Sequence, residues 1–257
     1  MKGFCPLASG SKGNSIYLGT DKTKVLIDAG LSVKALTARL AEIQVDISEI
    51  EAVLITHEHG DHIKGLSALC SKLGIPVFAN KETAQAIIPH CREIPKFKIF
   101  STGETFQFGD IEIHPFSIQH DAIDPVAFTF QFNDIKVGLC ADLGFASSLV
   151  LNQLQLCDYL YIEANHQPSM VHSSSRPMVY KQRVLSRQGH LSNEESAQLI
   201  SSVYHEKLKH VYLAHLSSEC NTPELALKIV GDVLEKNKQK TSLSIANQDV
   251  PSQLIAF

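Results

Sequence analysis

Residues 56–62 read Thr-His-Glu-His-Gly-Asp-His. His57, His59, Asp61 and His62 stand within six residues, and imidazole and carboxylate together suit zinc, manganese or iron. The pair His57-Glu58 suggests the zinc-protease motif H-E-x-x-H, but Asp61 occupies the place of its second histidine and that reading fails. The pattern is H-x-H-x-D-H, with Gly60 turning the backbone so that neighbouring side chains converge. A solvated loop that merely happens to be rich in histidine is the plain alternative. It explains less, because this loop follows the apolar run AVLIT at 52–56.

A pair of ions needs more donors than this loop supplies. The further candidates stand where other apolar runs stop: His120-Asp121 after FSIQ, Asp142 after VGLCA and His215 after VYLA. Taken singly, a strand-end Asp or His is more often a cap or a turn residue than a ligand. Taken with the loop, they are the remainder expected of a dinuclear site. The chain has 12 histidines and no tryptophan, a bias that agrees with metal binding.

The elements that must position these residues follow from periodicity. Strands are expected at 24–28, 52–56, 76–78, 158–163, 210–214 and near 242–246. Helical patterns run over 31–43, 62–73, 176–188, 193–206 and 223–236, the last with Thr222 as N-cap and Pro223 in the first turn. Residues 106–118 and 126–142 alternate apolar and polar, interrupted at Gly109-Asp110 and Asn133-Asp134, so they read as hairpins. Small residues in SGSKGN at 9–14 suit a tight turn between the first two strands; the spacing of a nucleotide-phosphate loop is absent. Strands and hairpins with helices interleaved suit two sheets packed face to face with helices outside.

The chain has 257 residues, of which 44% are apolar and 19% charged, a globular composition for one large domain or two closely packed halves. Lys plus Arg is 23 against 27 Asp plus Glu, a net charge of −4, so any nucleic-acid contact must use a local basic patch. Six scattered cysteines without a C-x-x-C pair read as buried free thiols of a reducing compartment. The start, MKGFCPLASGSKGN, has no apolar stretch of signal or spanning length, and a cytoplasmic protein without membrane association is expected.

Together, SGSKGN at 9–14, LIDAG at 26–30, THEHGDH at 56–62, HDA at 120–122, ADLG at 141–144, EANH at 163–166, GHLSN at 189–193 and HLSSECNTPELA at 215–226 resemble a metallo-β-lactamase-fold hydrolase over nearly the whole chain. The set is most similar to the YycJ/WalJ branch, regarded as bacterial 5′→3′ DNA exonucleases. The resemblance implies an α/β fold, a four-layer αββα sandwich forming one domain over 1–257, with metals at the sheet edges. It further implies that His57, His59 and His120 hold one ion, that Asp61, His62 and His215 hold the other, and that Asp142 bridges both. Asp28 would orient a ligand loop, and Asn14 would lie near the site. The nucleic-acid-binding insertion of larger RNA-processing relatives has no room, since only 72 residues separate Asp142 from His215.

Two such ions lower the pKa of a shared water and clamp the attacking and leaving oxygens of a phosphodiester. Asp61 is the candidate acceptor of the water proton. His190 is the candidate acid for the leaving oxygen, with Glu163 and His166 as partners that orient or tune it; alternatively His190 caps a helix ending at 188. Between His172 and His190 stand Arg176, Lys181, Arg183 and Arg187 with no acidic residue, a local charge of +4. Arg176, Tyr180, Arg183 and Arg187 are spaced by four, three and four, which on one helix gives a face for phosphates and for stacking on a base. An ordinary solvated helix face is the commoner fate of such a run.

The expected partner is therefore nucleic acid, DNA in preference to RNA, with the oligomeric state left open. A small-molecule thioester, lactone or lactam hydrolase would share the metal loop but give no use to the basic segment or to GHLSN. A non-catalytic, metal-dependent regulatory module would be favoured if ligands were missing, and all seven are present.

Overall fold

The computed structural model describes residues 1–257, which divide into two compact units. One comprises Met1–Pro115, Ala122–Val126 and Ala246–Phe257; the other comprises Phe116–Asp121 and Ala127–Ile245.

The first unit opens with β1 (Gly3–Ala8), β2 (Ser15–Gly19) and β3 (Lys24–Ile27), an antiparallel meander. There follow α1 (Val33–Glu42), β4 (Ala52–Leu54), α2 (Gly60–Ile63), α3 (Leu66–Leu73), β5 (Pro76–Ala79), α4 (Lys81–Ile87) and β6 (Lys96–Ile99). The six strands form one sheet in sequence order, and β3 to β6 run parallel. Parallel pairing brings the residues that follow β3 and β4, Asp28 and Thr56-His57, out at one sheet edge. Helix α1 forms because Ser32 caps it, accepting from the Ala35 N–H, while Leu36 and Leu40 enter a core with Leu26, Val53 and Leu66.

The helix expected over 62–73 is two helices. A Cβ on Gly65 would lie 1.8 Å from the Leu31 carbonyl oxygen, and the Gly65 N–H donates to the Ala29 oxygen (2.8 Å). This close backbone approach separates α2 from α3. The first hairpin is as expected, with β7 (Phe106–Phe108) and β8 (Ile111–Ser117) paired antiparallel across Gly109-Asp110.

The second hairpin is β9 (Val126–Phe132) and β10 (Ile135–Cys140), turning at Asn133-Asp134 with Asn133 in the left-handed region (φ 48°). Then come α5 (Ser148–Leu154), β11 (Tyr159–Glu163), α6 (Pro168–Ser173), α7 (Met178–Val184), α8 (Asn193–Val203), β12 (His210–Ala214), α9 (Pro223–Lys236) and β13 (Ser242–Ile245). The second sheet runs β13-β12-β11-β10-β9-β8-β7, and β10 to β13 are parallel. Asp142, Glu163 and His215 therefore emerge together at the carboxyl ends of β10, β11 and β12. Ile162, Leu213, Ala197, Ile200, Ala226 and Val230 fill the core beneath them. Helix α9 starts as read, with Thr222 accepting from the Leu225 N–H and Pro223 at its first turn.

The helix expected over 176–188 is a correction. Only Met178–Val184 is helical, so Arg176 precedes the helix, Arg187 follows it, and the four residues do not share one helical face. The run has the cationic spacing but little apolar surface to bury: Val184 is its only buried residue, and the chain folds back through Ser186 N–H to Arg183 oxygen (3.2 Å) and His190 N–H to Val184 oxygen (3.1 Å). All six cysteines are free and five are buried, Cys91 being half-buried. Burial pushes the Cys5, Cys70 and Cys157 thiols up to about 12. No helix is long and apolar enough to cross a membrane.

Candidate functional site

In the first unit the site begins at Asp28. Its carboxylate accepts from the Thr56 N–H (2.9 Å), the Thr56 hydroxyl (2.9 Å) and His62 Nδ1 (2.8 Å). His57 Nδ1 lies 3.0 Å from the Thr56 hydroxyl oxygen. With Nδ1 of both rings held from behind, Nε2 is the nitrogen that could ligate a metal, the arrangement typical of metal-binding histidines. Asp28 thus orients the loop, as expected from the resemblance. His57, His59 and His62 are close-packed, with ring centroids 4.6 Å (His57 to His59) and 4.1 Å (His57 to His62) apart.

Asn14 belongs to this group. Its amide nitrogen lies 3.1 Å from Asp61 Oδ2 and 3.0 Å from His62 Nε2, and its own oxygen accepts from the Gly10 N–H (2.7 Å). The loop can come this close because residue 30 is glycine. A Cβ there would sit 1.7 Å from the Asp61 carbonyl oxygen, while Asn14 N–H donates to that same oxygen (2.7 Å) and Gly30 N–H donates to the Asn14 oxygen (2.9 Å).

In the second unit Asp142, Glu163, His190 and His215 each offer a ligand-type atom, and these atoms all lie within 4.8 Å of one another. Glu163 is the hub. Its Oε1 accepts from His190 Nδ1 (2.7 Å) and His215 Nδ1 (3.2 Å), and its Oε2 accepts from the Leu143 (3.0 Å) and Leu191 (3.2 Å) N–H groups. Burial alone would raise this carboxyl. The charge of His190 and the hydrogen bonds from both histidines outweigh it and hold Glu163 well below the usual carboxylate range. Glu163 therefore stays ionised and fixes both rings with Nε2 forward. His190 is a partner of Glu163 through its ring, while its backbone N–H donates to the carbonyl of Val184 (3.1 Å), where the helix ends in place of 188.

His120 places Nδ1 3.2 Å from the Gly189 oxygen, and its ring centroid is 5.3 Å from that of His190. Burial lowers its pKa, which favours the neutral imidazole that metals need. His166 is buried and lines a cavity of about 300 Å³ with Gly144, His190, Ser192, Glu194 and Glu195; its Nδ1 has no hydrogen-bond partner, and burial lowers its pKa too. Asp28, Asp142 and His215 all have positive φ (61°, 56° and 54°), left-handed geometry at three strand ends. Asp and His tolerate it better than most residues. The donor set, imidazoles and carboxylates braced from behind, fits divalent metal.

Sequence reasoning missed Thr56, which joins Asp28 to His57, and Asn165, whose amide donates to the His215 carbonyl (2.7 Å). Asn165 sits in the EANH run one residue before His166, a strand-end polar position that carried the signal. Asn221 donates to the Ala164 (2.8 Å) and Asn165 (3.2 Å) carbonyls and so pins that backbone. The basic residues are partnered: Arg176 forms a bidentate pair with Glu219, Arg183 pairs with Asp121, and Arg187 lies 3.9 Å over the Phe145 ring.

Residues 23–215 match the family model described as a beta-lactamase superfamily domain, and the chain belongs to this superfamily of metal-dependent hydrolases. Within it the chain is of the YycJ/WalJ type. It is 42% identical to Exodeoxyribonuclease YycJ of Bacillus anthracis, over 91% of this chain and 89% of that one. It is 43% identical to Exodeoxyribonuclease WalJ of Streptococcus pneumoniae, covering 86% and 83% respectively. The metallo-beta-lactamase fold protein YhfI from Bacillus subtilis has the same fold, with a TM-score of 0.75 at 14% identity, covering 97% of each chain.

Proposed function

We propose that the protein is a dinuclear phosphodiesterase that degrades DNA from the 5′ end, in the cytoplasm. What carries the reading is His190 fixed by Glu163 beside Asp142 and His215, in a chain 42% identical to a protein named as an exodeoxyribonuclease. Zinc or manganese, or iron, is the proposed metal. His57, His59 and His120 would hold one ion and Asp61, His62 and His215 the other, with Asp142 as the carboxylate that would serve both. Bound divalent ions lower the pKa of water and offset phosphate charge.

The residues supply the rest. Asp61 takes the proton of the attacking water. His190, with Nδ1 on Glu163, gives a proton from Nε2 to the leaving oxygen, and Glu163 stabilises the ring while it is charged. His166, neutral and buried, lines the cavity that receives the leaving side. Arg183 and Arg187 exchange their present partners for backbone phosphates, Arg176 and Tyr180 extend that track, and Asn14 keeps Asp61 and His62 in place. Free thiols throughout support a reducing compartment.

Incubating metal-reconstituted protein with 5′-labelled and 3′-labelled DNA and RNA tests the reading. Early release of the 5′ label as mononucleotide from DNA, with the 3′ label retained on progressively shorter strands, is expected. Internal cuts, or no cleavage of DNA, would overturn it.

A further inference from the structure

The segment from His172 to Gln188 is the most exposed stretch next to the His190 loop, and two large apolar side chains stand out on it: Met178 is 66% exposed and Val179 77%. They follow Pro177 at the first turn of α7. The inner face of the same helix is occupied, because Tyr180 and Val184 pack on Val171, Cys220 and Met170. The outer pair is left exposed, although single exposed apolar residues are common and a lone one would need no explanation. Here they are adjacent, in the exposed first turn of α7, and the stretch around them holds four cations and no acid.

That charge selects the occupant. Arg176 and Arg183 already pair with Glu219 and Asp121, so Lys181 and Arg187 are the cations that remain for a ligand; they attract a polyanion, and the polyanion with an apolar face to offer is a nucleic acid whose bases have come unstacked. Pro and Met are among the side chains that proteins insert between base steps to separate them. Distance fits as well. Helix α7 has seven residues and its carboxyl end is tied to His190 through the Val184 oxygen (3.1 Å). At about 1.5 Å per residue the tip stands ~10 Å from the His190 loop, which is roughly three base steps at ~3.4 Å each.

We infer that Met178 and Val179 form a wedge that opens the end of a duplex and stacks on the exposed base about three steps from the reacting phosphate. This rests on the nuclease reading, and it adds that duplex ends are substrates the protein opens for itself. The test compares wild type with the Met178→Ser/Val179→Ser double variant on three substrates: a blunt duplex, the same duplex with its terminal three pairs mismatched, and a small chromogenic phosphodiester. The double variant should degrade the blunt duplex about tenfold or more slowly, since unstacking a base step carries a free-energy cost that the apolar wedge helps to offset, and should match wild type on the pre-opened duplex and on the chromogenic ester. Met178→Leu, which keeps the apolar surface, should retain duplex activity. Unchanged blunt-end rates, or equal losses on closed and open ends, would overturn the wedge while leaving the nuclease reading intact. A wild type that hydrolyses the chromogenic ester and no nucleic acid would remove both.

Discussion

At the residue scale, Glu163 does more than one histidine's worth of positioning. It is fully buried and ionised because two backbone N–H groups and two imidazoles converge on it, and it sets the forward nitrogen of both His190 and His215. His190 is then chemically distinct from His215: it is the more exposed ring (side chains 16% and 6%) and the one beside the cavity. Substituting His190→Ala should lower turnover by roughly 10²–10⁴ with metal content near normal, and a substrate whose leaving group needs no proton should recover much of the loss. Collapse of metal occupancy would instead make His190 a ligand.

At the element scale, the parallel strands β3-β4 and β10-β11-β12 explain why residues distant in sequence share an edge. The loop at 56–62 and the strand-end residues Asp142 and His215 were legible because an apolar run ending in Asp or His is visible in one dimension. The role of Thr56 was not, since its bonds to Asp28 are contacts made across the fold, and Asn165 showed only a strand-end polar position without its partner His215. The basic face at 176–188 was misread because cation spacing carries no information on whether a helix has anything to pack against. Gly30 shows the opposite case, a residue whose necessity is purely three-dimensional. A Cβ there meets the Asp61 carbonyl at 1.7 Å, so Gly30→Ala should cost about 1–3 kcal/mol by overpacking. The measurement is a lowered denaturation midpoint accompanied by weaker metal retention; an unchanged midpoint would show that the loop yields freely.

At the scale of the whole molecule, the chain carries a net charge of −4 yet concentrates +4 between His172 and His190. If Arg183 and Arg187 hold phosphates, neutralising both should weaken DNA binding and flatten its dependence on salt by a slope of about one to two units, with little effect on a small chromogenic phosphodiester. Equal losses on both substrates would mean that the arginines support the fold through Asp121 and Phe145. The central claim concerns the metals, and elemental analysis of a fully active preparation tests it most directly. Two divalent ions per chain are expected, with activity lost in Asp142→Ala, whereas full activity with one ion or none would contradict the dinuclear account.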